Sequence, residues 1–245
     1  MQRLDDRSRA FEIQKAIQKK ALLRSFYLDM YRRYARCIEH CPPTGAVIEI
    51  GSGCGFAKHT LPHLITSDLI SYPGIDCLID AARMPFGDVS LRTILMLNVF
   101  HHIPDVAAFL SEAERCLISN GRLLIIDQHS GIISKHIYRY FHFEHFDLRS
   151  PEWSFNAKGP LSSANGALPW IVFQRDRDRF TSGYPSLELL SYRPHTPLKY
   201  WLSGGLRKIS FVPSRMLSLV TKLDRNLTHK CPDFGSFVDI EIKKK

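Results

Sequence analysis

A short apolar segment that runs directly into a glycine-rich turn constrains this sequence more than any other feature. The segment is Ala46–Ile50, and the turn after it carries Gly51, Gly53 and Gly55. Glycine permits a tight bend and lets backbone amides approach a ligand closely, as at the start of a helix. We therefore predict a buried strand, a ligand-binding loop and a short helix over residues 57–63.

Apolar and amphipathic segments alternate along the rest of the chain. Helices are predicted at residues 7–40, 104–117, 132–146 and 168–180, and further strands at 64–67, 77–79, 91–99, 122–126, 187–192 and 237–242. Strands that are apolar on both faces are typical of a parallel sheet covered by helices. The pattern predicts an α/β fold, a doubly wound Rossmann-like sheet of seven strands with helices on both faces.

Acidic residues stand where the second and third predicted strands end. Asp68 follows the glycine turn by about the spacing at which a carboxylate accepts ribose hydroxyls, and Asp80 with Ala81 could meet an adenine amine. Glu49 can orient the loop or face the amino-acid part of a cofactor. Ser52 and Asn98 are the other predicted cofactor contacts. A dinucleotide fold is the alternative, although Phe56 replaces the third glycine of its fingerprint.

Four segments resemble the type 11 subgroup of class I methyltransferases that use S-adenosylmethionine (SAM). They are Val47–Gly55, Asp80–Phe86, Asn98–Ile103 and residues 112–123, which together span roughly residues 45–130. The resemblance implies a class I methyltransferase fold and SAM as the cofactor. Asn120-Gly121 replaces the Pro-Gly-Gly of the family pattern, a difference at a turn outside the cofactor site.

Residues 159–170 are similar to bacterial members whose substrate is unassigned, some of them associated with surface-glycan synthesis. The resemblance does not assign an acceptor; we expect a small polar one, such as a sugar, a glycan intermediate or a glycolipid hydroxyl. We expect a single domain with four parts: an N-terminal helical region (1–44), a SAM-binding half (45–130), a cap-like insertion (131–185) and C-terminal strands with a basic insert (186–245). The oligomeric state is left open.

Histidines supply the candidate catalytic groups. His101 and His102 follow the fourth predicted strand, at the edge where ligands bind in open α/β sheets, although either could simply pack or cap a helix. His142 and Glu144 lie in a polar cluster that is either functional or accidental. A hydroxyl acceptor benefits from a general base, so we favour acid–base work at these four residues over metal binding and predict no metal site.

Ser163 and Asn165 are the predicted substrate-binding residues. They precede a segment with proline in its first turn, where a capped helix start could meet a phosphate or sugar hydroxyls of the acceptor. Ordinary helix capping is the alternative. Changing Asn165 to alanine and measuring the acceptor KM distinguishes the two interpretations, because an unchanged KM would leave capping as the only role.

The formal net charge is +9, and basic and aromatic residues mix in the insert at 198–227. Such a surface can rest on anionic lipid, so a peripheral contact with the inner membrane face is one interpretation, and a lid packed on the core is the other. The N-terminus lacks the apolar core of a secretory signal, and we expect a cytoplasmic enzyme. Six cysteines without paired metal spacing are expected to be reduced thiols.

Two other functions stay open at this level. An RNA or protein methyltransferase is compatible with the positive charge, but no RNA-binding module is recognised, and we do not expect a nucleic-acid partner. A non-catalytic SAM-binding protein is the second alternative. Calorimetry with SAM and turnover with an acceptor distinguish these possibilities.

Overall fold

The computed structural model describes residues 8–53, 55–142, 144–157, 159, 163–207 and 209–245. Seven strands form one sheet: β1 (Ala46–Ile50), β2 (Ile65–Asp68), β3 (Cys77–Leu78), β4 (Leu91–Leu97), β5 (Leu117–Gln128), β6 (Leu187–His195) and β7 (Phe237–Lys244). Their order is β3-β2-β1-β4-β5-β7-β6. β7 runs antiparallel to both of its neighbours, while β1 to β5 pair in parallel. The predicted seven-stranded fold is confirmed.

The helices are α1 (Ser8–Lys19), α2 (Ala21–Glu39), α3 (Val106–Cys116), α4 (Ser134–Phe141), α5 (Leu168–Trp170), α6 (Arg177–Gly183), α7 (Lys199–Leu202) and α8 (Leu217–Lys230). Short 3-10 turns occur at Phe56–His59, Phe100–His102, Ser214–Met216 and Pro232–Phe234, and a π-turn at Ile171–Arg175. The part of the chain that is described holds no helix long and apolar enough to cross a membrane.

Alternate residues of the central strands enter two separate apolar cores, one on each face of the sheet. Ile94 and Met96 of β4 pack with Phe109 of α3, whereas Leu95 packs with Phe26 of α2. Side chains alternate across a strand, so a strand apolar at every position needs cover on both sides. This arrangement leaves the carboxyl ends of the parallel strands free to form a site.

Several predicted helices differ from the observed ones. The helix expected over residues 132–146 ends at Phe141, because His142 has extended backbone angles. The one expected over 168–180 is interrupted where the amide of Asp176 bonds to the carbonyl of Ile171, five residues back. Residues 57–63 form only the 3-10 turn at Phe56–His59.

The long N-terminal helix expected over residues 7–40 is divided at Lys20. Its backbone is extended, with φ −106° and ψ 111°. Its Nζ donates hydrogen bonds to the carbonyl oxygens of Ser203, Gly205 and Ile209 at 2.8, 2.6 and 3.0 Å. The ammonium therefore ties the joint between α1 and α2 to the segment after α7.

Replacing Lys20 with methionine is expected to loosen that segment. Three carbonyl oxygens lose a charged donor, and a cost of about 1–2 kcal/mol in the free energy of unfolding is expected. Limited proteolysis should cut residues 203–211 faster than in the native protein. Lys19→Met, at the exposed neighbouring position, is the control. Equal cleavage rates in the two variants would contradict the anchoring role.

The cysteines described are all free thiols, namely Cys37, Cys41, Cys77, Cys116 and Cys231, and Cys54 lies outside the described residues. Cys41 donates to the carbonyl of Cys37 and accepts from the hydroxyl of Thr93 at 3.2 Å each. The pair therefore makes packing contacts within the fold.

Candidate active site

A cavity of about 510 Å³ opens at the carboxyl ends of β1 and β4. Its walls come from the glycine turn, from the residues after β4, from α1, from the end of α4 and the residues after it, and from the segment around α7. The sequence-predicted residues that line it are Glu49, Gly51, Ser52, Gly53, Asn98, His101, His102, His142 and Glu144. The cavity thus joins residues predicted to hold a cofactor to residues predicted to act on an acceptor.

The glycine turn follows β1 in a conformation that other residues rarely adopt. Gly51 has φ +73°, and a Cβ built on it would lie 2.2 Å from Cγ2 of Val99. Gly53 has φ +54°, and nothing described lies within 4 Å of its would-be Cβ. Gly51 is therefore required by packing, while the open space at Gly53 is available for a ligand to approach the backbone.

Two buried oxygen atoms beside the turn lack a protein partner. Oε2 of Glu49 and Oδ1 of Asn98 form no hydrogen bond to any described residue. Burial raises the pKa of Glu49 to about 7, and the neighbouring hydroxyls of Ser52 and Tyr34 offset only part of that shift. Buried oxygens without donors are rare in proteins. Here they fit a cationic donor such as an ammonium.

Asp68 supports the glycine turn from the end of β2. Its two carboxylate oxygens accept hydrogen bonds from the amides of Gly53 and Ile70 at 2.9 and 3.1 Å. Burial raises the pKa of Asp68, and these backbone hydrogen bonds lower it in part. The contact fixes the turn relative to β2, and a role toward ribose stays a prediction.

The remaining predicted cofactor residues lie outside the cavity walls. Asp80 is exposed, and its Oδ1 accepts from the amide of Ala82 at 2.9 Å. Ala81 is buried in the core beside β4, and Gly55 precedes the 3-10 turn at Phe56–His59. An adenine contact at Asp80 and Ala81 stays a prediction.

His101 lies at the centre of a buried polar cluster. Its Nδ1 is 2.6 Å from Oδ1 of Asp127, and its Nε2 is 3.2 Å from Oε2 of Glu144. The side chain is only 2% exposed and that of Asp127 is fully buried. Burial alone would lower the pKa of His101, but the charge and hydrogen bond of Asp127, together with Glu144, raise it to about 10.

Glu144 joins the other members of the cluster. Its carboxylate lies 3.5 Å from Nε2 of His102 and 3.4 Å from Nδ1 of His142. It also accepts a hydrogen bond from the side-chain amide of Gln128 at 3.0 Å. Burial would raise the pKa of Glu144, but hydrogen bonds from His101 and His102 hold it well below its usual range. Burial lowers the pKa of His142, and Glu144 opposes that shift.

Asp127 and Gln128 belong to this cluster, and the sequence interpretation did not assign them to the site. Asp127 accepts hydrogen bonds from the backbone amide and the ring of His101 and from the backbone amide of Gln128. The available signal was their position at the end of β5, the same kind of position that singled out Asp68 and Asp80.

Ser163 and Asn165 form backbone hydrogen bonds with the two histidines. The carbonyl of Ser163 is 3.0 Å from Nδ1 of His102, and the amide of Asn165 donates to the carbonyl of His101 at 2.9 Å. Oδ1 of Asn165 accepts from the amides of Asp147 and Ala167, and its Nδ2 donates to the carbonyl of Asp147. Neither residue lines the cavity, so a contact of either with the acceptor stays a prediction.

Comparisons with known proteins agree with this architecture. Residues 52–125 match the family model described as a methyltransferase domain, of type 11. No curated protein sequence matches the chain significantly.

One solved structure shares the fold at low sequence identity. Geranyl diphosphate C-methyltransferase from Streptomyces coelicolor A3(2) is 12% identical with a TM-score of 0.55, over 95% of this chain and 84% of that one. The YcgJ protein from Bacillus subtilis is 14% identical with a TM-score of 0.47, over 88% of this chain and 95% of that one. The resemblance found in the motifs is confirmed: the protein carries a type 11 methyltransferase domain, at residues 52–125, within the fold of class I SAM-dependent methyltransferases.

Proposed function

We propose that this protein transfers a methyl group from SAM to a small polar acceptor, such as a sugar, a glycan intermediate or a glycolipid hydroxyl. One observation carries the proposal: a single cavity is lined by the glycine turn on one side and by the histidine–carboxylate cluster on the other. A methyl donor and its acceptor have to meet in one enclosed space, and this cavity provides both walls.

The donor side of the cavity fits SAM. Gly53 leaves room for a ligand beside its backbone, and the unpaired oxygens of Glu49 and Asn98 can accept the hydrogens of an ammonium group. The geranyl diphosphate C-methyltransferase of similar fold was solved with S-adenosyl-L-homocysteine. When bound, SAM supplies a methyl group that its sulfonium has already activated.

The acceptor side supplies orientation more than reactivity. His101, His102, His142 and Glu144 line the cavity and can bond to acceptor hydroxyls, and Asp127 holds His101 in place. Ile137, Tyr138 and other apolar residues of the wall exclude water. Holding two reactants in line can contribute roughly 7–11 kcal/mol to a transfer reaction, so positioning alone accounts for a large rate gain.

The test is a two-step measurement on the purified full-length protein. Calorimetry should show binding of SAM and of S-adenosylhomocysteine, and radiolabelled SAM should transfer label to one member of a panel of sugars, nucleotide sugars and glycolipids. Binding of NAD or a nucleoside triphosphate in place of SAM would overturn the proposal. Binding of SAM with label transferred only to RNA or protein would overturn the assigned acceptor class.

Glu49→Gln is expected to weaken SAM binding about tenfold at pH 7.5, since one buried charge–charge contact is lost. In the native protein the affinity should fall as the pH decreases from 7.5 to 6, because the raised pKa of Glu49, about 7, means that the carboxylate takes up a proton there. The variant should lack this part of the pH dependence. Calorimetry at several pH values measures both effects.

The matched control is Glu188→Gln, on the distant strand β6, whose carboxylate pairs with Lys243 at the surface. It should bind SAM like the native protein at each pH. An identical pH profile in native protein and Glu49→Gln would exclude Glu49 from the cofactor site.

Exposed apolar side chains near the cavity mouth favour a glycolipid among the proposed acceptors. Phe141 and Phe211 line the cavity yet are 73% and 61% exposed, and Ile209 is 53% exposed. Arg207 lines the same cavity and supplies positive charge. Apolar and basic groups together suit the surface of an anionic membrane. Flotation with anionic vesicles should carry the protein upward, and failure to float would remove the membrane contact from the proposal.

A further inference from the structure

The cluster behind the acceptor side of the cavity has the features of a metal site. One ring nitrogen of His101, one of His102 and a carboxylate oxygen of Glu144 all lie within 4.8 Å of one another. The two nitrogen atoms are 3.2 and 3.5 Å from oxygens of Glu144. Ligands at about 2.0–2.2 Å from one ion are separated by about 3.0–3.6 Å in tetrahedral or octahedral geometry. The two nitrogen–oxygen separations match that range.

The outer contacts of the two histidines determine which nitrogen faces the cluster. Asp127 and the carbonyl of Ser163 can only accept hydrogen bonds, so each Nδ1 must carry the hydrogen. Each Nε2 is then directed at Glu144. Histidine ligands of metals characteristically donate their other ring N–H to a carboxylate or a backbone carbonyl, which fixes the ring. Both partner types are present here.

The two carboxylates of the cluster also favour the binding of a cation. Asp127 and Glu144 are two carboxylates with side chains 0% and 14% exposed. Within the described residues their recorded ion pairs are all with histidines, and none is with lysine or arginine. Buried charges are generally paired or bound to metal. When both imidazoles are neutral, as metal ligands are, a divalent cation between the rings and Glu144 would balance the two carboxylates.

We propose that Nε2 of His101, Nε2 of His102 and the carboxylate of Glu144 bind one divalent ion of the first transition series. Two imidazole nitrogens favour ions such as Zn²⁺, Fe²⁺ or Co²⁺ over Mg²⁺ and Ca²⁺. Three protein ligands leave at least one coordination position for another ligand. All three residues line the cavity, so that position is open to an oxygen of the acceptor. This last step rests on the proposed function, whereas the metal site itself does not.

The experiment uses full-length protein treated with a chelator and then titrated with Co²⁺. One equivalent should bind, with visible absorption bands that Zn²⁺ abolishes by displacement. Glu144→Gln and His102→Gln should each weaken Co²⁺ binding at least tenfold, about the loss that even an outer partner of a ligand causes. His145→Gln and His136→Gln, at exposed positions nearby, are the matched controls and should bind like the native protein.

Cu²⁺-loaded native protein provides a measurement that depends on no variant. Electron spin-echo spectra should show two imidazole nitrogens bound to the ion. No uptake of Co²⁺, or equal affinity in Glu144→Gln and the controls, would overturn the metal site and leave a cluster that is neutralised by protons alone.

Calorimetry with SAM on the same samples keeps this proposal separate from the proposed function. Absence of Co²⁺ binding with intact SAM binding would overturn only the metal site. Intact Co²⁺ binding without SAM binding would overturn the proposed function and support the site.

Discussion

Replacing Gly51 with alanine is expected to lower the free energy of unfolding by about 2–4 kcal/mol. The added Cβ would lie 2.2 and 2.9 Å from the two γ carbons of Val99, and the residue would have to keep φ near +73°. Overpacking costs about 1–3 kcal/mol and a left-handed non-glycine residue about 1–2 kcal/mol. Thermal unfolding should shift downward by roughly 6–12 °C for a chain of this size.

Gly53→Ala is the matched control, since it imposes the same backbone strain without a clash. It should cost about 1–2 kcal/mol, from the backbone strain alone. The double variant Gly51→Ala/Val99→Ala should recover a large part of the loss, measured relative to Val99→Ala alone. A Gly51→Ala protein as stable as Gly53→Ala would show that the turn does not pack against Val99 as described.

Asp127→Asn is expected to cost about 3–5 kcal/mol of folding stability. The fully buried carboxylate accepts from the ring and the backbone amide of His101 and from the amide of Gln128, and an amide cannot replace it at all three donors. Removing one partner of a buried ion pair leaves the other charge uncompensated, and losses of this size are typical. Urea unfolding of the two proteins measures the difference.

Glu152→Gln supplies the comparison for a surface pair. Glu152 lies 3.9 Å from Arg179, and both side chains are more than half exposed. This change should alter stability by no more than about 0.5 kcal/mol. If Asp127→Asn were equally mild, the cluster around His101 would not be held by Asp127.

The central strands and the glycine turn could be predicted because their signals are local. The segment Ala46–Ile50 is a strand with its predicted bounds, and Gly51 and Gly53 have the left-handed angles that a tight bend requires. An apolar segment followed by glycines is compatible with few local structures other than a buried strand and a tight turn. The rules for parallel sheets narrow the possible strand orders, but they do not place β7 antiparallel between β5 and β6.

The histidine–carboxylate cluster could be predicted only in part. His101 and Asp127 are 26 positions apart in the sequence, and His101 and Glu144 are 43 positions apart. No local pattern therefore relates these residues. Their approach depends on the path of the chain after Gln128, where α4 ends earlier than its apolar period indicates. The chain leaves α4 at His142, whose backbone is extended, and apolar periodicity does not predict that point.

The joint at Lys20 places α1 in one wall of the cavity, apart from the wall that the sheet provides. The donor wall is formed largely by the glycine turn and the ends of the central strands. Ile13, Gln14 and Ile17 of another wall lie on α1, which Lys20 joins to α2 and ties to the segment after α7. Substitutions at these three positions should reshape the cavity without altering the strands of the sheet. They are therefore the first positions at which to look for a changed acceptor preference, with SAM affinity measured in the same variants.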